Sequence, residues 1–230
     1  MVMRKLILIA ILFSCTVLHS QPPNAGMMKS TSVREVRINF SLASVSVSTY
    51  NNLFGQPKTG VRSLTNMNDI NGIATDWDIT TVATANWRDS VFTVSATDGI
   101  AGMTAMSFFT GATSGVYANG YYQYGSLSPG GYDAALHQFL VSGLNPNKFY
   151  EIKITGADGT YTFDANPSRY TVTGLTTPAS QDVDGNVTSQ SNGATFTIQP
   201  ATDGTIKVWM NAVPGSSNLN MAQGMIIKQL

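Results

Sequence analysis

The chain is nearly without the residues that most enzyme chemistry needs. It holds one cysteine, Cys15, and two histidines, His19 and His137. Without cysteine beyond position 15, a folded domain has neither a disulfide nor a thiolate metal site. Charged residues are only 11% of the sequence. No basic run stands out, so binding nucleic acid by neutralising phosphates is not expected. Glutamate occurs only at Glu35 and Glu151, and the remaining acids are aspartates set mostly among Gly and Asn, where they form turns. No Gly-x-x-x-x-Gly-Lys phosphate loop and no Gly-x-Ser-x-Gly elbow is present. No apolar run is long enough to cross a membrane as a helix.

What is abundant is Gly, Ser, Thr and Asn, together with aromatic and β-branched residues. That mixture suits an exported β-protein with a polar, weakly charged surface, and it separates the chain from disordered sequences. The N-terminus agrees. Arg4-Lys5 supplies a positive start, Leu6 to Phe13 is continuously apolar, and a small-residue exit follows at Ser20-Gln21. Residues 1–20 are therefore expected to be a signal peptide cleaved after Ser20. The alternative is lipidation at Cys15, since Leu12-Phe13-Ser14-Cys15 resembles a lipoprotein signal box. Residues 21–32, with Pro22, Pro23, Met27 and Met28 and no period, read as a flexible lead-in. Residues 33–230 are long enough for one large domain.

Within that domain the repeating signal is alternation, which marks half-buried strands. It is clearest from Phe139 to Gly156. Phe139-Leu140-Val141 ends at Ser142-Gly143, Asn145-Pro146-Asn147-Lys148 makes a turn, and Tyr150, Ile152 and Ile154 share one face of the next run. The two runs read as an antiparallel pair at the centre of a sandwich. Val36, Ile38 and Phe40 mark an opening strand. Trp77, Ile79 and Thr81 mark another, as do Arg169 to Gly174, Phe196 with Ile198, Ile206 with Val208 and Met210, and Met225 to Leu230. Tyr50 to Phe54 reads as the entry to a loop, and Thr176 to Asn186 as a polar turn region. Thr97 to Gly131 reads as a long open segment rich in Gly and Tyr. Many short strands without a helical pattern predict an all-β fold, a two-sheet antiparallel β-sandwich or jelly roll.

Two sets of residues carry chemistry. Sugars are held by aromatic faces together with amide or carboxylate hydrogen bonds in a concave site. Tyr117, Tyr121, Tyr122, Tyr124 and Trp87 are the candidates for those faces, and the tyrosines lie in the Gly-rich segment. The competing reading is that they pack that segment down. Asp182, Asp184 and Asn186 place oxygen ligands at alternate positions, the pattern of a hard-cation loop, and are the candidate ligands for a structural calcium ion. A plain polar turn is the competing reading there. His137 stands beside a strand without a nucleophile motif and reads as an ordinary sheet-edge histidine.

Five pieces taken in order form a pattern: Ile38-Asn39-Phe40, Tyr50-Asn51-Asn52-Leu53, Asn71-Gly72-Ile73-Ala74-Thr75, Gly143 to Tyr150, and Gly224-Met225-Ile226-Ile227-Lys228. On these the chain resembles the galactose-binding-like jelly-roll modules of secreted bacterial proteins. The resemblance implies a two-sheet sandwich of a kind often used to bind sugars. All five pieces read as scaffold, so the resemblance assigns no binding residue. The expected function is that of an exported, non-catalytic module that binds carbohydrate or a cell-surface glycan. The alternative is a structural or adhesive cell-envelope protein with no small ligand, and a hydrolase comes third.

Overall fold

A computed structural model describes residues 34–41, 50–55, 60–81, 121–124, 138–155, 167–184, 193–213, 219–222 and 224–230. The described residues form thirteen strands and no helix. Five of the strands make one sheet, in the order β10-β7-β13-β1-β2. They are β1 (Glu35–Ser41), β2 (Asn51–Phe54), β7 (Tyr150–Thr155), β10 (Ala194–Ile198) and β13 (Gly224–Gln229). Six more make the second sheet, in the order β3-β4-β6-β11-β8-β9. These are β3 (Ser63–Leu64), β4 (Asp78–Thr81), β6 (Phe139–Ser142), β8 (Pro167–Thr173), β9 (Ala179–Asp184) and β11 (Ile206–Ala212). A two-stranded ribbon pairs β5 (Tyr121–Tyr124) with β12 (Leu219–Ala222). Neighbours pair antiparallel, except that β2 runs parallel to β1.

The sandwich forms because each sheet has one apolar face to bury. Val36, Ile38 and Phe40 come from β1, Ile152 and Ile154 from β7, and Met225 and Ile227 from β13, all fully buried. The facing sheet supplies Ile79, Phe139, Val141, Tyr170, Val172, Ile206, Val208 and Met210. The two faces meet where Phe40 stacks on Phe139, with centroids 4.8 Å apart, and where Trp77 packs edge-on to Tyr150 at 5.4 Å. The expected β-sandwich is what the chain forms.

The strand pairing differs from the sequence expectation at its centre. β6 and β7 both have the predicted alternation, but they do not pair. β6 lies between β4 and β11, and β7 between β10 and β13. Alternation reports which side chains share a face, and both runs do face one core, from opposite sheets. The link between them turns a corner. Leu144 is buried there, and its N–H donates to the Gly204 carbonyl at 3.1 Å. The Tyr150 hydroxyl accepts the Asn145 N–H at 2.9 Å, which ties the corner down to the start of β7.

Other departures concern strands read as loops. Tyr50 to Phe54 supplies the edge strand β2 instead of entering a loop. The polar segment Thr176 to Asn186 contains β9, which hydrogen-bonds along β8. An edge strand with one face toward water needs little apolar content, so its sequence resembles a turn.

Candidate functional site

A polar hairpin joins β3 to β4. The Met67 N–H donates to the Trp77 carbonyl at 3.0 Å, and the Thr75 N–H to the Met67 carbonyl at 2.8 Å. Asn68 bridges to Ala74 near the tip. The tip is Asp69-Ile70-Asn71-Gly72. The Gly72 N–H donates to the Asp69 carbonyl at 2.9 Å, and Gly72 has a φ of 77°. Asp at the first turn position followed by glycine in the left-handed region is the expected chemistry for a short hairpin turn. The Asp69 side chain locks it further, since its Oδ1 accepts the N–H groups of Asn71 at 2.8 Å and Ile73 at 2.9 Å.

The hairpin docks on the edge of the first sheet. The Ile70 N–H donates to the Glu35 carbonyl at 2.9 Å. The Asn51 carboxamide then joins β2 to the hairpin. Its Oδ1 accepts the Asn68 N–H at 2.8 Å, and its Nδ2 donates to the Asn68 carbonyl at 2.8 Å and the Arg37 carbonyl at 3.1 Å. Asn39 on β1 donates to Asn52 Oδ1 at 3.0 Å, and Asn52 donates to the Tyr50 carbonyl at 3.0 Å. These asparagines fix the backbone where Tyr50 meets the hairpin.

Between them lies a recess of about 330 Å³, lined by Tyr50, Asn51, Asn68, Asp69, Ile70, Asn71 and Gly72. Its polar groups fall into two kinds. The Asn51 amide is fully occupied with backbone. Asp69 Oδ2 and the side-chain amides of Asn68 and Asn71 have no hydrogen-bond partner among the described residues. Tyr50 is buried at 7% exposure, and the Arg37 guanidinium lies 5.9 Å from its ring centroid. The Arg37 Nε donates to Glu35 Oε1 at 2.8 Å, so its charge is already paired. Ile70, 38% exposed, adds an apolar surface.

The described lining of the recess includes none of the candidate residues singled out from sequence. Tyr121, Tyr122 and Tyr124 belong to β5, so this part of the Gly/Tyr segment is a strand rather than open loop. Tyr117 and Trp87 lie outside the described residues, as do His137 and Asn186. Asp182 and Asp184 are in β9, not in a turn. Arg169 stands directly across from Asp182. Its Nε donates to Oδ1 at 2.6 Å and its Nη2 to Oδ2 at 2.8 Å. The hydrogen bonds from Arg169 hold the Asp182 carboxyl below the usual aspartate range. Both carboxylate oxygens of Asp182, one of the three candidate calcium ligands, are thus engaged by a guanidinium. Among the described residues no three His, Cys, Asp or Glu side chains cluster as a metal site.

Sequence reasoning missed the recess because Asn51 sat in an apparent loop entry and Asn71-Gly72 read only as scaffold. The available signal was density: five Asn or Asp residues from position 68 to 78, beside an exposed Ile70.

The chain matches no protein-family model and no curated protein. Among solved structures, a DUF4465 family protein from Bacteroides ovatus ATCC 8483 matches with 10% sequence identity over 86% of this chain and 99% of that chain. Its TM-score is 0.29, too low to carry an argument about this protein.

Proposed function

We propose that this chain is an exported, non-catalytic β-sandwich module that binds carbohydrate at a cell surface, through the recess between Tyr50 and Gly72. One observation carries the reading: Asp69 Oδ2 and the Asn68 and Asn71 amides line one small concavity without other partners among the described residues. Sugar hydroxyls both donate and accept, which complements a carboxylate oxygen beside two amides. Ile70 offers an apolar contact for ring C–H groups. The leader pattern at Arg4-Lys5 and Leu6 to Phe13 supports export, and the galactose-binding-like resemblance supports sugar recognition. Glycoside hydrolysis uses two carboxyl groups flanking the bond, whereas the described residues of the recess lining bring one.

A glycan array probed with the purified protein tests the proposal. Binding should weaken strongly in Asn71→Ala and persist in Tyr121→Ala/Tyr122→Ala. Binding that survives the first change and is lost in the second would move the site to β5. An array with no bound glycan would refute carbohydrate recognition.

A further inference from the structure

We infer that the recess selects neutral, hydroxyl-rich glycan ends over acidic ones, and that Asp69 sets this preference. The inference rests on the carbohydrate-binding reading above. It starts from the way Asp69 is held. Oδ1 accepts two backbone N–H groups from its own turn, while Oδ2 has no partner among the described residues. The carboxylate is therefore pinned in one rotamer, with one oxygen committed and one available. A carboxylate oxygen only accepts, so the group it takes must be a donor, such as a hydroxyl. Being held in advance, it costs little ordering when a ligand arrives.

The rest of the lining sharpens the choice. None of the seven lining residues is Lys, Arg or His. The nearby Arg37 is paired with Glu35 and sits against the Tyr50 ring. A uronate or other anionic sugar placed here would bring its negative charge against Asp69 with no cation among the described lining residues. Two like charges about 5 Å apart at a protein surface disfavour binding by about tenfold or more. A volume of about 330 Å³ is at the small end for ligand sites and suits one ring rather than a chain lying lengthwise. Tyr50 at 7% exposure is a wall, not a stacking platform, so recognition depends on hydrogen bonds.

The test uses matched immobilised oligosaccharides ending in glucose or glucuronate, galactose or galacturonate, and mannose or mannuronate. The unmodified protein should bind one or more neutral members at least about tenfold tighter than the paired uronate. In Asp69→Asn the amide oxygen can still accept both turn N–H groups, and an NH2 replaces Oδ2. Neutral binding should fall, uronate binding should rise, and the gap should close to about twofold. Asn71→Asp removes an amide and adds a second carboxylate, so neutral binding should fall, uronate binding should fall further, and the gap should widen. If Asp69→Asn fails to fold, the wild-type ratio of neutral to uronate binding still decides the preference. Equal wild-type binding of both members, or a ratio unmoved by the substitutions, would overturn the role of Asp69 while leaving carbohydrate binding intact. Absence of binding to every glycan would overturn both.

Discussion

Replacing Gly143 with alanine should be among the most damaging small changes in this protein. Gly143 ends β6 at the corner where the chain leaves one sheet for the other. Its φ is 77°. An L-residue there costs about 1–2 kcal/mol. Position adds a second cost, because a Cβ built on Gly143 would lie 1.8 Å from the Asp76 carbonyl oxygen. That oxygen is backbone and cannot rotate away, so the corner or the approach to β4 must shift by roughly an ångström. Such overpacking costs about 1–3 kcal/mol. Together Gly143→Ala should lose about 2–5 kcal/mol, a fall of roughly 5–15 °C in melting temperature for a chain of this size. Gly72 provides the control. Its φ is also 77°, but a Cβ there meets nothing within 4 Å. Gly72→Ala should therefore lose only about 1–2 kcal/mol. Any gain from stiffening the unfolded chain is common to both variants and cancels in the difference. Urea denaturation of the two proteins side by side reads that difference. Equal losses would mean that the corner has room for a methyl group and that the close approach to Asp76 is not a constraint.

Two further outcomes follow from the packing and the charges. Ile152 is fully buried at mid-strand between Phe196 and Ile227, so Ile152→Ala should cost about 2–5 kcal/mol in the same assay; a negligible loss would place it off the core face. The Arg169–Asp182 pair lowers the folded-state pKa of Asp182, so its stabilisation is present above the ordinary value of 3.8 and is lost as pH falls through the lowered one. With side chains 34% and 40% exposed, the pair should contribute less than about 1 kcal/mol at neutral pH. The stability of Arg169→Ala should converge on that of the unmodified protein in strong acid. A gap that persists or widens there would refute the assignment.

The core was largely legible in the sequence, because burial leaves a period-2 trace. Val36-Ile38-Phe40, Trp77-Ile79-Thr81 and Ile206-Val208-Met210 each put their predicted members inside. Trp209 points to the opposite face and is buried as well, at 1% exposure, which alternation does not foretell. Partner choice was not legible. Phe139-Val141 and Tyr150-Ile154 have the same pattern whether they pair in one sheet or face each other across the core. The recess was harder still. It arises where β2, the start of β1 and a hairpin tip come together, and its residues have no shared period. Asp69 could be read as a loop former because turn formation is part of what it does, and Asn51 because a polar edge strand resembles a loop. The uncommitted Oδ2 of Asp69 becomes visible only once the backbone bonds are assigned.

Gln181 on β9 reaches across to the outer edge of β10. Its Nε2 donates to the Thr195 carbonyl at 2.5 Å, and its Oε1 accepts the Thr195 N–H at 2.9 Å. Asn51 does the same for Asn68 beside β2, at the other margin of that sheet. A carboxamide is the only side chain with the donor and acceptor of a peptide unit, so each of these residues acts as a one-residue strand. An unpaired margin is where sheets of neighbouring molecules join. At Thr195 the outer margin of β10 is thereby closed to a further strand. Glutamate at position 181 would lack the donor, and its negative charge would repel the Thr195 carbonyl. Hydrolysis of that one amide would therefore reopen the margin of β10 at Thr195.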